Sequence, residues 1–161
     1  MSKWEQKGKP KQGFFIPKNL KKVILVENKQ NMGGIIYRSS WERIFMSWLD
    51  LNENVLRWNS EGIPINYIKP TDGKEHKYYP DFYFECNDGK GGISKYLIEV
   101  KPKVETVPPI PPKNKTERSM INFQKRIDTY KINQAKWMYA EEFCKRNNLK
   151  FMIITEDELG I

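Results

Sequence analysis

Two short motifs in this sequence combine carboxylates with a lysine at a spacing that suits hydrolysis of a phosphodiester. Tyr79-Pro80-Asp81 is followed, 18 residues after the aspartate, by Glu99-Val100-Lys101. Side chains alternate along a strand, so Glu99 and Lys101 are expected to point to the same face. Burying such charged groups is costly unless they pair with one another or bind a cation.

The donor atoms of these motifs match a magnesium site. Carboxylates from Asp81 and Glu99, a backbone carbonyl such as that of Val100, and water form the oxygen shell that Mg²⁺ prefers, and we expect Mn²⁺ to substitute. Lys101 would orient the attacking water and stabilise the charge developing on the phosphate. The alternative is an ion pair between Glu99 and Lys101 on an exposed edge strand. Apolar Ile98 and Val100 indicate that one face of this strand is buried, which favours the catalytic interpretation.

Helix and strand patterns place both motifs in one α/β domain. Ser39-x-x-Glu42 is a capping-box pattern and predicts a helix that begins near Ser39 and ends near Asn52. The patterns that follow predict strands at 55–59, 63–68, 77–86, 94–101 and 151–154, a hairpin turn at 71–74, and a helix, in one or two pieces, at 116–147. This order predicts a single α/β domain with a central mixed sheet flanked by helices.

The second half of the chain contains a segment that excludes regular structure. Residues 107–112 include four prolines and can be neither helix nor inner strand, so we expect an exposed polyproline loop or linker. The helix that follows is expected to bury a stripe of four residues. These are Ile132, Ala135, Tyr139 and Phe143.

The charge of the chain favours a polyanionic partner. The 161 residues include 28 Lys and Arg and 20 Asp and Glu, a net charge of +8 with a pI near 9.4. Residues 1–34 hold eight Lys against two Glu, a net charge of +6, and residues 35–161 hold the remaining +2. We therefore predict a basic extended N-terminal arm over 1–34 and a nuclease domain over 35–161. For the arm, attraction to phosphates and a solvated, solubilising tail remain alternatives.

Several other classes of site and location are disfavoured. Cys86 and Cys144 are too few and too far apart for a zinc knuckle or a disulfide framework, so two reduced thiols are expected. No apolar run reaches the length of a membrane span, and the N-terminus lacks the apolar region of a signal peptide. We therefore expect no membrane partner and a soluble protein that acts where it is made.

Beyond the individual residues, the motifs resemble those of the PD-(D/E)XK nuclease superfamily and, within it, the TnsA-like endonuclease branch. Pro80-Asp81 matches the PD signature and Glu99-Val100-Lys101 the (D/E)XK signature, with further similarity at 37–42, 79–82, 133–137 and 151–156. The resemblance implies a restriction-endonuclease-like core over about residues 35–157. It also implies a Mg²⁺-dependent endonuclease that acts on double-stranded or branched DNA.

The same resemblance implies a role for Glu42. In many members of the superfamily a glutamate on the first core helix joins the metal site, so Glu42 is expected to act with Asp81 and Glu99 as a catalytic and metal-binding residue. The local sequence offers an alternative, because Glu42 stands three residues after Ser39, where a capping box places a glutamate. A metal-bound carboxylate cannot also reach back to the cap.

Three basic side chains are candidates for contact with DNA. Arg38 precedes the first helix, Lys103 follows the Glu-x-Lys motif, and Lys136 lies on the buried side of the long helix. The alternatives are ordinary surface charges at Arg38 and Lys103, and a side chain that extends to solvent at Lys136. Glu61 in a turn and His76 in a polar hairpin are weaker candidates, because such residues seldom belong to a site.

The branch also implies a biological setting. It includes nucleases of tailed phages that act late in capsid maturation near the portal vertex. By this resemblance the protein would process the end of packaged DNA, with phage portal or neck proteins as partners, in the host cytoplasm during assembly and then in the virion. Two alternatives remain open: a non-enzymatic protein that binds DNA ends or plugs the portal, and a junction-resolvase-type or transposon-end nuclease.

Overall fold

Eight strands and three α-helices follow one another in this computed structural model, which describes residues 12–24 and 34–161. The strands are β1 (Gly13–Phe15), β2 (Ile35–Tyr37), β3 (Val55–Ser60), β4 (Ile65–Ile68), β5 (Glu75–Tyr78), β6 (Phe82–Asn87), β7 (Ile93–Val100) and β8 (Lys150–Ile154). The helices are α1 (Ser40–Leu51), α2 (Glu117–Arg146) and α3 (Glu156–Leu159), with short 3-10 helices at Leu20–Lys22 and Lys103–Thr106.

A four-stranded mixed sheet in the order β3-β6-β7-β8 forms the centre of the fold. The first three strands pair antiparallel, and β8 joins β7 in parallel. A parallel neighbour requires a crossover connection, and α2 supplies it. The predicted mixed α/β architecture is therefore confirmed. Because β6 and β7 are the inner strands, the residues at their ends are held in a fixed register.

Helices cover the sheet on both faces, and each face has its own apolar core. Helix α1 contributes Trp41, Phe45, Met46 and Leu49 to the first core, where they pack against Phe82, Phe84, Ile98 and Val100. The second core lies between the sheet, α2 and the β4–β5 hairpin, and its buried members are Ile65, Tyr67, Tyr78, Leu97, Trp137, Ala140 and Cys144. Leu97 and Ile98 therefore face opposite cores, as alternation along β7 requires.

The predicted start and end of the first helix are confirmed. The Ser39 side chain accepts a hydrogen bond from the backbone N–H of Glu42 at 3.2 Å, and Asn52 is the C-cap. The turn predicted at 71–74 connects β4 to β5. The proline-rich residues 107–112 contain neither helix nor strand, as their sequence requires.

Two predictions are wrong, one about a strand boundary and one about the buried face of a helix. The strand predicted at 77–86 is two strands, because β5 ends at Tyr78 and pairs with β4, whereas β6 begins at Phe82 and belongs to the central sheet. Pro80, which has no N–H for a ladder, is fully buried at the break. The stripe predicted for α2 is also displaced: the buried residues are Asn133, Trp137, Ala140 and Cys144, and the four predicted ones flank them half-buried.

Part of the predicted N-terminal arm packs against the domain. Strand β1 pairs antiparallel with β2, and Val23 forms a parallel bridge with Trp58. The buried carboxylate of Asp50 accepts hydrogen bonds from the backbone N–H groups of Lys18 and Asn19 at 2.8 and 2.9 Å. The rest of the arm, residues 1–11 and 25–33, lies outside the described residues. No helix in the described ranges combines the length and apolar character needed to cross a membrane.

Candidate active site

The two sequence motifs meet at the ends of the inner strands. Phe82 pairs with Ile98 across β6 and β7, so one further step in the same register brings Asp81 opposite Glu99. The Asp81 carboxylate accepts a hydrogen bond from the backbone N–H of Val100 at 2.7 Å. Its backbone carbonyl accepts another from Glu61 N–H at 2.9 Å. Asp81 is therefore fixed through both its main chain and its side chain.

Glu99 is buried, with a relative exposure of 7%, and both of its carboxylate oxygens have partners. The Lys101 ammonium lies 3.3 Å from one oxygen, and the Tyr78 hydroxyl donates to the other at 2.5 Å. Glu99 and Lys101 thus lie on one face of β7, as alternation predicts. Neither belongs to an exposed edge strand, because β7 lies between β6 and β8.

The electrostatic environment of Asp81 is that of a carboxylate crowded by other carboxylates. Burial raises the pKa of Asp81 well above its ordinary value, and the negative charges of Glu99 and Glu42 raise it further. The hydrogen bond from Val100 and the positive charge of Lys101 oppose this shift without cancelling it. Ionised Asp81 is therefore disfavoured here, first by burial and then by the neighbouring carboxylates.

Glu42 approaches this site from the first turn of α1. Burial raises the pKa of Glu42, and a hydrogen bond from the backbone N–H of Arg38 at 2.8 Å acts in the opposite direction. Only half of the predicted capping box forms, since the Glu42 carboxylate is bonded to the N–H of Arg38 rather than to that of Ser39. Glu42 thus stabilises the helix start and also contributes negative charge near Asp81.

Lys101 and Lys136 are cations held in different ways. Burial lowers the pKa of Lys101, but the charges of Glu99, Glu105 and Asp81 outweigh it and the net shift is upward. The pKa of Lys136 is lowered, chiefly by burial. Its ammonium lies over the rings of Tyr78 and Tyr67, 5.4 and 5.9 Å from their centroids. These aromatic faces hold the Lys136 charge beside the site.

The other two predicted DNA contacts are occupied within the protein. The Arg38 guanidinium pairs with Glu61 at 2.8 Å, and the Lys103 ammonium pairs with Asp157 at the same distance. A phosphate at either position would have to compete with the partner carboxylate. His76 contacts Asp72 in the β4–β5 turn at 2.8 Å. Neither cysteine forms a disulfide, in agreement with the expected thiols.

The donor set fits a hard divalent cation, although no metal cage is preformed among the described residues. Within 12–24 and 34–161, no three His, Cys, Asp or Glu side chains form a group that could hold a metal ion by themselves. The available donors are oxygens, and a cation would offset both the burial and the carboxylate repulsion that raise the pKa of Asp81. The residues that would hold Mg²⁺ or Mn²⁺ are Asp81, Glu99, Glu42 and the backbone carbonyl of Val100.

Sequence reasoning missed Tyr78, the residue that reaches Glu99 from another sheet. It was expected to lie within a continuous strand 77–86, which would have placed it on the strand of Asp81. The break at Pro80 instead leaves Tyr78 at the end of β5, buried beneath α2. A buried tyrosine directly before the PD motif needs a hydrogen-bond partner, and that requirement is a signal the sequence contains.

The chain is similar to known nucleases. A family profile described as "TnsA-like endonuclease N terminal" matches residues 52–156. The chain is also 35% identical over 147 residues to the head completion nuclease of Enterobacteria phage T4, with 91% of this chain and 92% of the phage protein covered. The span matched by the profile includes Asp81, Glu99 and Lys101, whereas Glu42 precedes it.

Proposed function

This chain belongs to the TnsA-like endonuclease family, and we propose that it is a metal-dependent DNA endonuclease with a restriction-endonuclease-like core. One observation carries the proposal: Asp81, directly before β6, is hydrogen-bonded to Val100 N–H beside Glu99 of β7, and Lys101 lies 3.3 Å from Glu99. A structural protein has no need to bury two like charges that repel each other. In a hydrolase, the two carboxylates provide a cation site next to the ammonium group of Lys101.

The proposed roles follow from the charge states of the residues. Bound Mg²⁺ or Mn²⁺ would supply Lewis-acid stabilisation of the phosphate. Asp81, Glu99, the Val100 carbonyl and Glu42 would hold the ion. Because its pKa is raised, Lys101 stays an ammonium at neutral pH. We therefore assign it to orienting the attacking water and stabilising charge on the phosphate, rather than to removing a proton.

The substrate is proposed to be double-stranded or branched DNA held by its backbone. Lys136, beside the site, is the favoured contact of the three predicted, while Arg38 and Lys103 would first have to leave their carboxylate partners. The basic arm at 1–34 is a further proposed contact, and the nuclease domain would then be 35–161. Such phosphate contacts bind without reading sequence and weaken steeply with salt.

The biological role is proposed from the relative named above. Similarity along nearly the whole length of the T4 head completion nuclease supports a nuclease that acts in phage head completion. On this proposal the protein processes the end of the packaged DNA and meets portal or neck proteins, in the host cytoplasm and then in the virion.

The test is cleavage of linear and branched duplex DNA in Mg²⁺ or Mn²⁺ by the wild type, Asp81→Asn and Asp88→Asn. Asp88 lies in the exposed β6–β7 turn and supplies the same chemical change away from the site. Cleavage by the wild type and Asp88→Asn, but not by Asp81→Asn, is expected. DNA binding with no cleavage by the wild type in either metal would contradict the proposal and favour a non-enzymatic DNA-end-binding protein.

A further inference from the structure

The N-terminal half of α2 contributes no buried side chain to either core. All four buried residues of this helix lie at or after Asn133. The first sixteen residues, 117–132, therefore form about 24 Å of helix at about 1.5 Å per residue with no buried side chain. A single neighbouring segment, 104–110, borders a cleft of about 450 Å³ along this half of the helix. Core packing does not explain why the helix is so long.

This half of the helix, with the residues on either side of it, carries a strong positive charge. Residues 113–136 hold seven Lys and Arg against two Asp and Glu, a net charge of +5. That is more than the whole of residues 35–161 carries, so the remainder of the domain is net negative. The basic character of the domain is therefore concentrated in residues 113–136, which the composition of the whole chain does not reveal.

Three of the basic residues of this helix are aligned along it. Arg118 and Lys136 are 18 residues apart, about five full turns at about 3.6 residues per turn, and Lys125 and Lys136 are 11 apart, about three turns. These three side chains thus form one line, and Arg126 lies about 80° round the helix from it. We call the four side chains together the basic stripe. The acidic residues of this half, Glu117 and Asp128, lie roughly 80–100° round the helix from the line of three, on the side opposite Arg126.

The stripe continues the face that packs on the sheet. Asn133, Trp137 and Ala140 lie within about 100° of Lys136 on the same side of α2. Toward the N-terminus of α2, from Asn133 to Arg118, this face therefore changes from buried to exposed and basic. The change occurs beside the active site, because Lys136 lies over Tyr78 and feels the charges of Glu99 and Lys101.

The cations of the stripe are not neutralised within the protein. Among the ion pairs of the described residues, none involves Arg118, Lys125 or Arg126, in contrast to the pairs of Arg38 and Lys103. Arg118, Lys125 and Arg126 are all exposed. Arg118 and Lys125 are exposed, aligned and outside any ion pair, Arg126 lies beside them, and together they lead to the proposed phosphodiesterase site, so they complement a row of phosphates.

We propose that the basic stripe of α2 binds the phosphate backbone of duplex DNA next to the bond that is cleaved. Arg118 and Lys136 are about 27 Å apart along the helix, which corresponds to most of one turn of B-DNA. The stripe therefore sets how far the duplex must extend from the cleavage point. The position of the duplex relative to the cleaved bond rests on the proposed nuclease function. The affinity of the stripe for DNA does not.

The test compares two triple variants with the same loss of charge. The stripe variant is Arg118→Gln/Lys125→Gln/Arg126→Gln. The control variant, Lys131→Gln/Lys145→Gln/Arg146→Gln, removes three cations elsewhere on the same helix. Each is made in full-length protein, with Asp81→Asn added for binding, and circular dichroism confirms that α2 still forms. Binding to a 30-bp duplex is measured by fluorescence anisotropy from low to high salt.

The stripe variant is expected to make the negative slope of log K against log salt less steep by about 2.7, because each lost phosphate contact removes about 0.9 from its magnitude. With Asp81 restored, its cleavage should slow at low DNA concentration and recover as DNA is raised. The control variant should match the parent protein in the salt slope of binding and in the rate of cleavage. Equal slopes for the two variants would overturn the inference and leave an acidic protein surface as the occupant of the stripe.

The two proposals can fail separately. A wild type that cleaves, together with a stripe variant that binds DNA like the control, overturns the inference and leaves the nuclease function standing. A wild type that never cleaves, together with a stripe variant whose salt slope falls, overturns the nuclease function and supports the stripe as a DNA-binding surface.

Discussion

Tyr78 reaches Glu99 from a different sheet and donates a 2.5 Å hydrogen bond to its buried carboxylate. This bond connects the β4–β5 hairpin to β7 at the point where the site lies. Burial raises the pKa of the Tyr78 hydroxyl, and the negative charge of Glu99 raises it further, so the hydroxyl keeps its proton and donates. Since Lys101 approaches the other oxygen of Glu99, the orientation of this carboxylate is fixed from two sides.

Replacing Tyr78 with phenylalanine is expected to weaken metal-dependent cleavage without unfolding the protein. Partners that orient a metal-binding side chain typically contribute 10–100-fold in metal affinity or activity. We expect the Mg²⁺ concentration for half-maximal cleavage to rise by about that factor, because Glu99 loses its donor. Tyr139→Phe is the matched control, since Tyr139 packs in the same core. An unchanged Mg²⁺ dependence in Tyr78→Phe would show that the hydroxyl does not orient Glu99.

The charge of Lys101 can be separated from its bulk by Lys101→Gln. If this ammonium stabilises charge on the phosphate, its loss should lower kcat by about 10²–10³-fold, the size expected for removal of one preorganised donor. Lys95→Gln is the control, because Lys95 is an exposed lysine on the same strand. The measurement is single-turnover cleavage at saturating metal. A loss of less than about threefold would remove Lys101 from the proposed mechanism.

Substitutions at Glu42 and Ser39 separate the catalytic role proposed for the Glu42 carboxylate from its role at the start of the helix. Gln at position 42 can still accept the hydrogen bond from Arg38 N–H, so Glu42→Gln should leave the melting temperature nearly unchanged while cleavage falls about 10- to 100-fold. Ser39→Ala should do the reverse, lowering stability by about 1 kcal/mol with cleavage retained. Urea unfolding and cleavage rates are measured on both. A destabilised but fully active Glu42→Gln protein would leave only the capping role.

Sequence reasoning succeeded where local patterns determine the outcome. The capping residue Ser39, the turn at 71–74 and the alternation of Glu99 with Val100 are properties of a few neighbouring residues, and each was predicted. The errors arose where distant parts of the chain decide. Which face of α2 is buried depends on where the sheet ends, and the partner of Tyr78 depends on how two sheets meet.

Metal and pH should affect stability through Asp81. Its folded-state pKa is raised, so its contribution is fully present below the unfolded pKa of about 3.9 and is lost as pH rises through the folded value. In EDTA, the wild type should therefore lose stability as pH rises through that window, and Asp81→Asn should lose less. Mg²⁺ should stabilise the wild type at neutral pH, because it binds the ionised folded form, and should not stabilise Asp81→Asn. Melting temperatures across pH with and without Mg²⁺ provide the measurement. Equal pH profiles for the two proteins would contradict it.

Asp50 connects the N-terminal segment to the end of α1, and its removal should destabilise the fold. Its buried carboxylate accepts hydrogen bonds from the backbone N–H groups of Lys18 and Asn19, so Asp50→Ala leaves both donors without this partner. A hydrogen bond to a charged group contributes about 1.5–3 kcal/mol, and a domain of this size loses about 2–4 °C in Tm per kcal/mol. Glu53→Ala, an exposed carboxylate just beyond the same helix, should change Tm by much less. Hydrogen exchange at residues 18–22 should accelerate in Asp50→Ala alone. Unchanged exchange there would mean that the pairing of β1 with β2 holds this segment without Asp50.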